Sequence, residues 1–259
     1  MGVRPHLSAF APGPQTRRTA LKRHSSGFYL GIIVSLGVGF ALLAGVWLGL
    51  SSITGLGHIS DVYQATKTGP NSATLQLSAY PDSQVCHADA GDPQIDWVSY
   101  CTGDNRPASN IEVPPNSVIT VIIKQYDTAS TLINDYFSQV RGTIGGVAFL
   151  NGKPFSQVTA DAPGHTFTIQ STPNSPYPIL VSVPLTGVSD NAPNAVTING
   201  NQYPNPNVIS FQFHTGPAGV TYIWHCYVPC GSDRGVPYGF SGPMGTLGFM
   251  AGTITVTSY

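Results

Sequence analysis

An all-β domain preceded by one N-terminal transmembrane helix is the architecture this sequence predicts. Three observations predict it. Residues 27–53 form a charge-free apolar stretch, seven short runs after it alternate with period two, and 22 prolines break up longer helical readings.

The first element is a basic tail, residues 1–26, with five basic and no acidic side chains. The apolar stretch 27–53 follows. A helix needs about 20 such residues to cross the hydrocarbon core, and there all its backbone groups pair internally. Arg17, Arg18, Lys22 and Arg23 precede it, and no Lys or Arg follows until Lys67. The positive-inside rule then puts the tail in the cytoplasm and everything after the helix outside, a single-pass arrangement in the cell membrane. A cleaved signal peptide has an apolar region of only about 7–15 residues and an A-x-A-like site; this run is longer and no such site closes it. Thr16 to Lys22 also resembles a twin-arginine export signal, with Ala20 in place of the usual Phe, although a plain basic flank explains the same residues.

Residues 54–259 carry six basic and twelve acidic side chains, a net of −6. Such a domain lacks the basic face that nucleic acid requires, and it suits a basic redox partner steered by charge. Only 9% of the chain is charged, against about 25% in ordinary globular domains. Few carboxylates are left to protonate, so an acidic outer compartment would cost this domain little stability.

Residues 54–70 read as a Gly-containing polar linker, and 71–259 as one domain with a real core. The strand expectations are Ala73–Ala79, Val118–Asp127, His165–Gln170, Pro178–Val183, Val208–His214, Val220–Cys226 and Gly252–Ser258. Asn151-Gly152 and Asn199-Gly200 sit between apolar runs as hairpin turns. Ser130–Val140 is the one soluble stretch that suits a short helix. Many short strands with turns between them mean a sandwich or a barrel.

All four cysteines lie after the apolar stretch, in a compartment that permits disulfides. Cys86 and Cys101 flank an irregular polar segment and read as a structural disulfide. Cys226 and Cys230 differ, because they end an apolar strand, in TYIWHCYVPCG. Thiolate, imidazole and thioether at a rigid strand end suit copper. His165 opens the alternating segment GHTFTI, and Met250 stands directly before the last strand.

These three segments, in this order, resemble the cupredoxins, which are Greek-key β-sandwich copper proteins. The family includes plastocyanin-like carriers, copper nitrite reductases and subunit II of haem–copper oxidases. The likeness covers roughly residues 110–259, and PNSVITVIIKQYD resembles the strand before the first ligand. It implies a cupredoxin-like Greek-key β-sandwich with His165 as imidazole ligand, Cys226 as thiolate and Met250 as axial thioether.

The departures are specific. A single-copper cupredoxin has a second His between Cys and Met, commonly five residues before the Met; Gly245 stands there, and no His follows His225. Met244 is the nearest substitute. Cys226-x-x-x-Cys230 matches the paired thiolates of the oxidase dinuclear copper centre, but Arg234 and Pro237 occupy that centre's His and Met positions. Adjacent His225 and Cys226 resemble nitrite reductase; strand neighbours face opposite ways, and Gln170 stands where its second copper needs a His. Two chemistries stay open for the Cys pair. Reduced, it binds copper with His165, Met250 and Met244, a sulfur-rich set that favours Cu(I); oxidised, it is a disulfide.

The resemblance implies a membrane-tethered electron carrier at the outer face, with a respiratory membrane complex or redox protein as partner. The alternatives are a copper-free accessory subunit with a Cys226–Cys230 disulfide, and a copper storage or delivery module. None of these is a catalyst.

Overall fold

The computed structural model describes residues 36–46, 62–87, 97–230 and 242–259. The basic tail, the rest of 27–53, residues 54–61 and the interval holding Arg234 and Pro237 lie outside them. The chain divides into two units, Met1–Gly49 and Leu50–Tyr259.

In the first unit, residues 36–46 form a helix, α1. Leu36, Val38, Phe40, Leu42, Leu43 and Val46 on it are all exposed. Among the described residues, no helix is long and apolar enough to cross a membrane.

The second unit is built from two large sheets. The first runs in the order β1 (Val62–Gln64), β5 (Asn110–Val113), β15 (Ala251–Val256), β14 (Thr221–His225), β9 (Pro163–Ser171) and β10 (Leu180–Thr186). The second runs β2 (Thr66–Gly69), β3 (Ser72–Tyr80), β6 (Val118–Gln125), β13 (Asn207–His214), β7 (Ala148–Leu150) and β8 (Lys153–Phe155), with β4 (Ser99–Thr102) paired to β3. Each expected strand has its counterpart here. Period-two alternation explains them: in β6, Ile119, Val121, Ile123 and Gln125 are buried while the residues between them are not. Leu75, Val121 and Phe211 of one sheet share a single core with Phe167, Trp224 and Ile254 of the other. That is the layering of a β-sandwich.

Both expected hairpin turns form. Asn151 and Gly152 join β7 to β8, and Asn199 and Gly200 join β11 (Asn194–Ile198) to β12 (Asn201–Pro204), all four with positive φ. The β11–β12 hairpin meets a smaller cluster of Tyr80, Val85, Tyr126 and Tyr203 around the Cys86–Cys101 disulfide. There the Tyr203 hydroxyl donates to the Asp82 carboxylate.

Two expectations need correction. The helix expected at Ser130–Val140 is only a single 3-10 turn, Asp135–Ser138. The backbone N–H groups of Ser130 and Leu132 donate instead to Pro163 and Ala160, and the Asn134 side chain caps the short turn. The folded domain also begins before residue 71, since β1 and β2 lie within the segment read as linker. Both strands are mostly exposed, so they lack the one-sided apolar alternation that marks a strand.

Candidate metal centre

Residues Tyr222 and Trp224 of β14 point into the core, and the alternation continues one step past the strand to Cys226. The neighbouring strand β9 pairs Ile169 with Trp224 and Thr168 with His225. Beyond that pair the two chains part, and the Thr166 N–H donates to Cys226 Sγ at 3.4 Å while Thr166 Oγ1 accepts from Tyr227 N–H at 2.8 Å. On β9 the residues His165, Phe167 and Ile169 share one face. The strand end therefore delivers His165 and Cys226 to one place.

A tight turn brings the third donor. The Cys230 N–H donates to the Val228 carbonyl at 2.7 Å, which folds the segment back on itself. His165 Nδ1 then lies 3.2 Å from Cys230 Sγ and 3.8 Å from Cys226 Sγ, and the two sulfurs are 3.6 Å apart. These three donor atoms all lie within 4.8 Å of one another. Their residues are 1%, 0% and 8% exposed.

The spacing can be compared with that around one ion. Imidazole and thiolate donors sit about 2.0–2.3 Å from a soft metal, so donors at tetrahedral to trigonal angles stand about 3.5–4.0 Å apart. The 3.6 and 3.8 Å distances fall in that range and the 3.2 Å distance is shorter by about 0.3 Å, so a small opening between His165 and Cys230 would admit an ion. The donor set fits a metal.

Met250 and Met244 are buried in the same core cluster as the two cysteines. The Cys226 N–H donates to the Met250 carbonyl at 2.9 Å, and the Met250 N–H donates to Pro243 at 3.0 Å. Met244 belongs to the adjoining 3-10 turn, Gly242–Gly245, so Gly245 is in that turn with no side chain to offer. Gly252 explains the Met-x-Gly pattern: a Cβ there would collide with Trp224 Nε1 and the Ala108 carbonyl.

The charges are interlocked. Burial raises a thiol, but the hydrogen bond from Cys230 and the His165 ring outweigh it, and Cys226 is held well below the usual range. The same sulfur–sulfur contact, with burial added, pushes Cys230 well above that range. Burial alone would lower His165; the contacts with Asp127 and Cys226 overrule it and raise the imidazole to about 10. Without metal these contacts favour the thiolate form at Cys226, the thiol form at Cys230 and the protonated ring at His165.

Cys226 and Cys230 are free thiols, and Cys86–Cys101 is the disulfide expected from the sequence. A Cys226–Cys230 disulfide, carried by the accessory-subunit alternative, is not what the structure contains; 3.6 Å is far beyond a bonded S–S distance of about 2.05 Å. His225 is half-buried on the face away from Cys226, and burial lowers its pKa.

Two residues of this site carried no sequence signal. Asp127 Oδ2 lies 3.1 Å from His165 Nε2, close enough for a charge contact but not directed as a hydrogen bond. Tyr100, fully buried, donates its hydroxyl to the Thr166 carbonyl and packs its ring on Trp224 and near His165.

No protein-family model matches the chain, and no curated protein matches it. Solved structures similar to it include reduced rusticyanin, at 16% identity over 76% of this chain and 85% of that one with a TM-score of 0.32. Rusticyanin from Thiobacillus ferrooxidans is similar at 15% identity, over 83% and 93%, with a TM-score of 0.31. A chain of a heme-copper terminal oxidase dimer is similar at 13% identity, over 89% and 99%, with a TM-score of 0.28. The likeness is distant, and what this site can do rests on its own residues.

Proposed function

We propose that this chain is a membrane-tethered, copper-binding electron carrier whose site is His165, Cys226 and Cys230, completed by a thioether from Met250 or Met244. The observation that carries the reading is the convergence of one imidazole nitrogen and two free sulfurs, all buried, within 4.8 Å. Soft thiolate and thioether donors select copper, Cu(I) above all, over harder ions. Bound copper supplies a one-electron couple. The protein's share is a rigid frame that changes little between the two charge states. The double pairing of β14, to β15 and β9, supplies that frame.

Electrons need a way out of a buried site. Tyr227 follows Cys226 and stacks on Phe137 at 4.0 Å between ring centroids, and Phe137 meets the partly exposed Tyr136 edge-on. This aromatic run supports a carrier over a storage module, which needs no such outlet.

Tethering is supported by the charge-free stretch 27–53 and by the exposed apolar side chains of α1. A helix that is apolar all round suits a bilayer better than water. The outer face of a cell membrane, beside a respiratory complex or other redox protein, is the location this arrangement suits.

Metal analysis and thiol counting on full-length protein purified under native conditions test the reading. The expected result is one copper per chain and, after its removal, two free thiols. Zinc alone, or Cys226 joined to Cys230, would overturn it.

A further inference from the structure

His165 turns its two ring nitrogens to different chemistries. Nδ1 faces the sulfurs, at 3.2 Å from Cys230 and 3.8 Å from Cys226. Nε2 faces the Asp127 carboxylate at 3.1 Å. The ring itself is 1% exposed and the aspartate side chain 19%, so the contact lies at the inner edge of the surface.

The carboxylate is not free to swing. Its other oxygen, Oδ1, accepts from the Thr128 N–H at 2.7 Å, and the Asp127 carbonyl accepts from the Val188 N–H at 2.9 Å. The two segments are also locked together beside the contact. Gly164 packs so closely that a Cβ there would strike the Gln125 amide and the Thr128 carbonyl. Asp127 therefore has a fixed place relative to the His165 ring.

We infer that Asp127 is a positioning residue for the metal. Its carboxylate, 3.1 Å from Nε2, favours keeping the ring's remaining proton on that nitrogen when Nδ1 gives up its own to a metal, and so leaves the Nδ1 lone pair directed at the space between the sulfurs. A neutral imidazole carries one proton, and the partner of one nitrogen decides which nitrogen is left to ligate. An ionised carboxylate can only accept, so beside Nε2 it selects the tautomer with a bare Nδ1. A carboxylate behind a ligating histidine also makes the ring a stronger donor. Its negative charge, near two sulfurs, favours the more highly charged copper state and lowers the reduction potential. This inference rests on the copper reading above.

The test uses the full-length chain with Asp127→Ala and Asp127→Asn. Cu(I) affinity is read by competition with a chromophoric chelator, the potential by titration, and the His165 tautomer by nitrogen NMR of the diamagnetic Cu(I) state. Asp127→Ala should keep the fold and lose about 10- to 100-fold in affinity. Asp127→Asn, whose amide oxygen still accepts, should restore most of the affinity while its potential stays above wild type. Wild-type affinity and an unchanged tautomer in Asp127→Ala would overturn the role of Asp127 alone. A wild-type chain that binds no copper would overturn the copper reading and this inference together. If Asp127→Ala does not fold, Asp127→Asn decides: a wild-type potential overturns the inference.

Discussion

The sulfur of Cys230 lies 3.2 Å from Nδ1 of His165, across 65 positions of sequence. The contact exists because β9 and β14 are neighbours and the turn after Cys226 folds the second thiol back onto the first. The meeting of the imidazole with the two sulfurs depends on that pairing.

Both cysteines are therefore required. Removing a group that merely supports a ligand typically costs about 10- to 100-fold in metal affinity, so Cys226→Ser and Cys230→Ser should each cost more than about 100-fold. His225→Ala, on the opposite face, should leave copper affinity near wild type. Chelator competition on the three variants checks both statements.

The metal-free protein should have a defined pH of greatest stability. His165, raised from 6.5 to about 10, stabilises fully below 6.5, and that contribution is lost as pH rises through about 10. Cys226, lowered from 9.0, stabilises fully above 9.0, and its share is lost as pH falls through its folded value. Together they place the site's maximum between pH 6.5 and 9.0. Thermal melts of chelated wild type, compared with His165→Ala, should show this maximum only in wild type.

Copper binding should follow a different slope. The ion must displace the His165 and Cys230 protons, so binding releases protons and affinity climbs with pH through neutrality. Affinity that is flat between pH 6 and 8, measured by isothermal titration in two buffers of different ionisation enthalpy, would contradict this proton count.

Gly252→Ala should destabilise the domain by about 1–3 kcal/mol, the usual cost of overpacking. The new Cβ would press on the Trp224 ring and the Ala108 carbonyl. Because Trp224 is two residues before Cys226 on the same face, copper affinity should fall along with the denaturant midpoint.

Much of the fold was legible for a simple reason. Strands with one buried face, such as β6 and β13, announce themselves by alternation, and Asn-Gly turns announce their hairpins. What stayed hidden has physical causes as well. The residues of β1 and β2 are mostly exposed, so no apolar period marks them. Ser130–Val140 has a helix-like pattern, yet its amides find better acceptors at Ala160 and Pro163. At the site, His165 and Cys226, which the structure brings together with Cys230, each sit in a patterned segment at a strand end. Asp127 carries no such signal, since its role comes from a contact 38 positions away that no local pattern records.

The central claim is that one copper ion is held by both sulfurs and the imidazole. X-ray absorption at the copper edge, on the full-length chain loaded with one equivalent, tests it most directly. The account predicts a first shell with two sulfur atoms at about 2.2–2.3 Å and one imidazole nitrogen at about 2.0 Å. A shell of nitrogen and oxygen alone, with Cys226 and Cys230 still reactive to thiol reagents, would contradict it.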